Sequence, residues 1–153
     1  MMTRFLIAMA LTLPAAASAQ DARDGDFQVV DIKARLLYEQ SGDLSVDISD
    51  NPGFTAWNTI IGEGSASENA NDLLITAVIR GPGEHNLDAP LTITARDATG
   101  KVLATRTVKT ILAETATYLS LVVYDAGCAG TMRLEARLGQ SVRREEISLD
   151  CGE

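Results

Sequence analysis

Residues 131–149, TMRLEARL-GQ-SVRREEISL, decide the fold class of this chain. Met132, Leu134, Ala136 and Leu138 alternate with Arg133, Glu135 and Arg137, the period-two pattern of a strand with one buried face. Gly139-Gln140 carries glycine at the first position of a two-residue loop, the signature of a type II′ hairpin turn. In such a hairpin the numbers of opposed residues sum to 279, so Leu138 faces Ser141 and Met132 faces Ile147. Extended outward, the same register sets Cys128 against Cys151. Opposed Cα atoms in an antiparallel ladder lie about 4.5–5.5 Å apart, inside the ~4.4–6.8 Å that a disulfide spans. The pattern therefore predicts a Cys128–Cys151 bridge clamping the last hairpin. Gly127, Gly130 and Val142, which falls off the apolar face, mark where a bulge would slip that register.

The same reading works outward along the chain. Leu91–Arg96 alternates cleanly, and Lys101–Val108 follows across Asp97-Ala98-Thr99-Gly100, so residues 91–108 read as a second, threonine-rich hairpin. Leu73–Ile79 is a near-continuous apolar run before Gly81-Pro82-Gly83, as expected of a strand central in a sheet. Tyr118–Tyr124 is another apolar strand, and Phe27–Tyr38 a first one with Ile32, Ala34, Leu36 and Tyr38 on one face. Ala56–Ile61 reads as a short strand. Glu39–Thr55 and Gly62–Asp72 read as polar loops. Seven or eight short strands without heptads or repeats predict an all-β, antiparallel β-sandwich forming one domain over residues 20–153. At fold level the pattern resembles immunoglobulin-like and fibronectin-III-like domains. It lacks the antibody-domain hallmarks, because Trp57 precedes both cysteines and the cysteines lie in one hairpin.

The first nineteen residues have another logic. Met1–Arg4 is a short basic stretch, Phe5–Leu13 is apolar, Pro14 ends any helix, and Ala17-Ser18-Ala19 is a small-x-small cleavage site. This predicts a secretory signal peptide, too short to span a bilayer, and a periplasmic or secreted mature chain with no membrane span. An even cysteine count in an exported chain fits a disulfide. Without a Cys-x-x-Cys spacing, and with His85 the single histidine, no four-ligand zinc site is expected. Removing residues 1–19 takes away Arg4 and no acid, leaving 12 basic against 21 acidic residues, a net of −9. That balance favours solubility and argues against nucleic acid, which needs clustered cations.

Chemical motifs are sparse. The acidic stretch Asp43, Asp47, Asp50 and Asn51 fails the EF-hand spacing, since Pro52 falls at its glycine position and Asn58 at its closing glutamate. Gly62-Glu63-Gly64-Ser65 lacks the ends of a phosphate loop and of a nucleophile elbow. Carboxylate pairs such as Glu63 and Glu68, or Glu114 and Asp125, are available in any chain this acidic. Trp57 reads either as the core tryptophan of a small sandwich or as an aromatic anchor on a binding rim. The adjacent charges Arg143-Arg144-Glu145-Glu146 read as a guard against edge-to-edge pairing.

These features lead to an expectation of an exported, non-catalytic binding or accessory module of a bacterial-type cell envelope, with no cofactor and a protein or glycan partner. The binding residues expected are Trp57, Phe54 and Glu63. Two alternatives are an assembly subunit pairing through an exposed strand, and a small hydrolase using carboxylates near Glu63 and Asp72.

Overall fold

In a computed structural model, which describes residues 23–51, 54 and 65–149, the first described element is a 3-10 turn at Asp24–Asp26. The described strands that follow are β1 (Gln28–Leu37), β2 (Asp72–Arg80), β3 (His85–Leu87), β4 (Leu91–Asp97), β5 (Val102–Val108), β6 (Ile111–Ala113), β7 (Ala116–Val123), β8 (Gly130–Leu138) and β9 (Ser141–Leu149). They form a three-stranded sheet in the order β1-β2-β7, a four-stranded sheet in the order β5-β4-β8-β9, and a short β3-β6 ribbon. Every pairing is antiparallel. The fold is the antiparallel β-sandwich that the alternation predicts.

The deciding hairpin keeps its predicted register without a slip, from Leu138 opposite Ser141 to Gly130 opposite Leu149. Gly139 has φ 54°, while Gln140 is not among the positive-φ residues, as a II′ turn requires. Val142 sits opposite Arg137 on the outer face, so no bulge is needed to explain it. β2 is the central strand of its sheet, which accounts for its unbroken apolar run.

The two sheets bury one cluster between them. Ile32, Ala34 and Leu36 of β1 meet Leu73, Ile75, Ala77 and Ile79 of β2, with Ile93, Met132, Leu134 and Leu149 from the other sheet. Phe27 closes one end, and its ring passes so near Gly81 that a Cβ there would lie 2.1 Å from it. Any side chain at residue 81 would evict that ring. At the same end the Val29 amide donates to Ser141 Oγ at 3.0 Å, joining the two sheets.

The segment read as a loop after β1 is docked along that strand's outer edge. Ser45 and Ile48 amides donate to the Leu36 and Ala34 carbonyls at 2.9 and 2.8 Å. In return the Leu36 amide donates to Ser45 Oγ and the Ala34 amide to Asp47 Oδ1. Side-chain oxygens replace backbone carbonyls here, so the edge is satisfied without a regular strand.

Candidate functional site

The residues singled out from sequence fall in different places. Phe54 is 6% exposed and belongs to the core cluster. The sandwich encloses its ring, which gives it a packing role. Trp57, Glu63 and the expected strand at Ala56–Ile61 lie outside the described residues, as does Cys151. Asp72 opens β2, and its Oδ1 accepts the Asp125 amide at 3.2 Å. Asp47, from the acidic stretch, accepts from Ala34, from the Ser49 amide and from the Ser49 hydroxyl, and lies 3.7 Å from Lys33 Nζ. Among the described residues no group of three or more His, Cys, Asp or Glu is placed to hold a metal, and no helix is long and apolar enough to cross a membrane.

The outer face of the three-stranded sheet carries the surface that sequence reasoning missed. Leu37 is bridged to Leu44 and is opposed on its other side by Asp72. One row further in, Arg35 faces Leu74, which faces Val122. Tyr124 follows Val122 by two residues, and Val46 follows Leu44 by two. Tyr124 and Val46 are each 73% exposed, and Leu37, Leu44 and Val122 are also exposed. These side chains make an apolar and aromatic band at the end of the sheet where β1 ends and β2 begins. Further along, Tyr118 stands opposite Val78, which is 3% exposed yet lies outside the core cluster, on the outer side of the sheet. The signal was present in Tyr118–Tyr124: a continuous apolar run on an edge strand must present half of its apolar side chains outward.

The outer face of the four-stranded sheet is mostly polar, with Val102 and Val142 as apolar exceptions. Thr92 and Thr94 of β4 hydrogen-bond across to Thr107 and Thr105 of β5. Glu135 accepts from Arg144 at 2.7 Å and from Arg137 at 3.3 Å, and Arg133 donates to Glu146 at 3.2 Å. On the inward side of edge strand β9, Arg143 and Glu145 pair with each other at 2.7 Å opposite Ala136 and Leu134. On edge strand β5, Arg106 donates to the Ser120 carbonyl of β7. Charges turned toward the sandwich at both edges of this sheet oppose strand addition.

A further polar cluster pins the chain's start to the body. His85 is not a bare turn residue: it lies on β3, its ring stacks on Phe27, and its Nε2 donates to Asp24 Oδ1 at 3.0 Å. Asp24 Oδ2 accepts the Asp88 and Ala89 amides. A shallow groove of about 550 Å³ opens beside this clasp, between Phe27, Ala89 and the Gly139-Gln140 turn.

Among the described residues four carboxyls are displaced from their ordinary pKa, and all four are held low. The Ala89 amide does this chiefly for Asp24 and the Thr99 hydroxyl for Asp97. For Asp47 and Glu135, desolvation pushes upward first, and hydrogen bonds from Ser49 and from Arg144 and Arg137 outweigh it. A general acid needs the opposite displacement, so these groups stabilise the fold.

No known family matches the chain, and no curated protein is similar to it in sequence. Among solved structures, a Bifidobacterium dentium β-glucuronidase complexed with coumarin-3-O-glucuronide is similar over 81% of this chain, at 18% identity and a TM-score of 0.43. This chain spans 18% of that enzyme's length. A likeness that loose transfers nothing about activity.

Proposed function

We propose that this chain is an exported, non-catalytic binding module of a bacterial-type cell envelope, acting in the periplasm or outside the cell. It engages a protein or glycan partner with the loop end of the sandwich. The observation that carries this reading is the band of Leu37, Leu44, Val46, Val122 and Tyr124, exposed together on a rigid sheet. Grouped apolar surface with tyrosine and a flanking arginine is the composition of binding surfaces, and it is unfavourable in water without a partner. Trp57 and Glu63, singled out from the sequence, are further binding residues.

Export rests on the leader at residues 1–19 and on the Cys128–Cys151 bridge. The ladder keeps its register to Gly130 and Leu149, two residues short of each cysteine, and Cys128 itself sits in a turn at φ 55°. No described cysteine is free. Assembly by strand addition is the weaker reading, since the edges of the four-stranded sheet carry inward charges and the docked 44–48 segment covers part of β1.

The test is an affinity capture with oxidised protein as bait and host envelope extract or a glycan array as prey. Wild-type bait retains a stoichiometric partner, and bait carrying Val46→Ser and Tyr124→Ser does not. Equal capture by both baits removes the band from the function.

A further inference from the structure

The four-stranded sheet holds a second site of different chemistry. Arg96 of β4 and Arg133 of β8 are directly opposed on its outer face, on its two central strands. Opposed side chains in an antiparallel pair start about 4.5–5.5 Å apart at Cβ, and like charges so placed repel. The row they form runs Val102, Arg96, Arg133, Glu146. Its carboxylate lies at one flank, against Arg133, while Arg96 donates to the Gly100 carbonyl at 3.1 Å. In the next row Glu135 already serves both Arg137 and Arg144. Across these two rows three guanidinium groups face two carboxylates, and Arg137 adds a fourth guanidinium from the row beyond, on a protein whose net charge is −8. The nearby Asp97 offers no relief, because its Oδ1 accepts from the Thr99 amide, the Thr99 hydroxyl and the Lys101 amide. A concavity of about 390 Å³ lies here, walled by Arg96, Arg133 and Arg144 together with Glu135, Glu145 and Glu146, each of those carboxylates already paired with an arginine.

We infer that Arg96 and Arg133 bind an oxoanion: the carboxylate, sulfate or phosphate group of a small acid or of an acidic glycan. A guanidinium presents paired N–H donors that match the two oxygens of such a group. An anion between the two stems turns their repulsion into two attractions. β4 places Thr92 and Thr94 at its other outward positions, and threonine at residue 96 would complete that ladder without repulsion. Arg96 reaches the Gly100 carbonyl at 3.1 Å and Arg133 the Ala98 carbonyl at 3.4 Å, so both guanidinium groups are anchored beside the same turn.

The experiment is thermal melting and calorimetric titration of the purified protein with inorganic phosphate and with citrate, each against sodium chloride at matched ionic strength. Chloride controls for general screening of exposed charge. Wild type shows saturable stabilisation by at least one of the two anions. Phosphate alone marks a tetrahedral group as the ligand, and citrate alone a carboxylate. Arg96→Thr weakens that binding tenfold or more, yet melts no lower than wild type in chloride. Arg80→Gln, at the exposed end of β2, leaves binding unchanged. A chloride response equal to that of both anions overturns the proposal, and so does an Arg96→Thr protein that binds as well as wild type.

Discussion

The outer faces of the two sheets present opposite chemistry on the same period-two scaffold. On the four-stranded sheet, outward positions hold threonine pairs and arginine–glutamate pairs that satisfy one another across the strands. On the three-stranded sheet, the corresponding positions at the loop end hold Leu37, Leu74, Val122 and, just beyond the strand, Tyr124. The core between the sheets makes the same demand of both, so the contrast is not a requirement of folding. It separates a face finished for water from a face suited to a partner, and the opposed Arg96 and Arg133 are the exception on the finished face.

Substitutions can test that separation, beginning with the interior that both faces share. Leu134→Ala, at a side chain 1% exposed, should cost about 2–5 kcal/mol. Chemical denaturation should show the loss, and both binding surfaces should then fail together at the new midpoint. Cys128→Ser, or reduction, should cost about 3 kcal/mol by releasing the last hairpin. Intact mass under non-reducing conditions checks the premise, because two free thiols would refute the bridge. Tyr124→Ala should leave stability within about 0.5 kcal/mol and weaken partner binding by about 1–2 kcal/mol, roughly tenfold. Glu135→Ala, on the opposite face, should cost only about 0.2–1 kcal/mol, the scale of an exposed ion pair.

Acid sharpens the same contrast. Asp24, Asp47, Asp97 and Glu135 all titrate below their ordinary values in the fold. Their contribution is complete above the unfolded values, 3.8 for aspartate and 4.5 for glutamate, and is lost as pH falls through the lower folded values. A melting temperature flat from neutral pH to the upper edge of that window, then falling, is the expected profile. Glu135→Gln should make the fall shallower.

Much of this architecture was legible where the determinants are local. The 131–149 hairpin could be registered residue by residue, because glycine chemistry at the turn and alternation in both strands agree. β7 was legible as a strand but not as an edge, since edge position depends on which strands pair. The apolar strand Tyr118–Tyr124 therefore did not reveal that Tyr118 and Val122 face outward. β3 and β6 are three residues each, too short for any period to show. The docked 44–48 segment hid because Ser45 and Asp47 join the ladder through side chains, which no strand pattern encodes. Phe54 stands among turn residues, and nothing local in the sequence tells that its ring joins the core.

The most direct measurement compares the two faces in one assay. The captured partner should be titrated calorimetrically against Tyr124→Ala and against Thr94→Ala, both at matched folded fraction. A roughly tenfold loss for Tyr124→Ala with wild-type affinity for Thr94→Ala is the predicted result. Equal affinities, or a loss confined to Thr94→Ala, would contradict the assignment of binding to the three-stranded sheet.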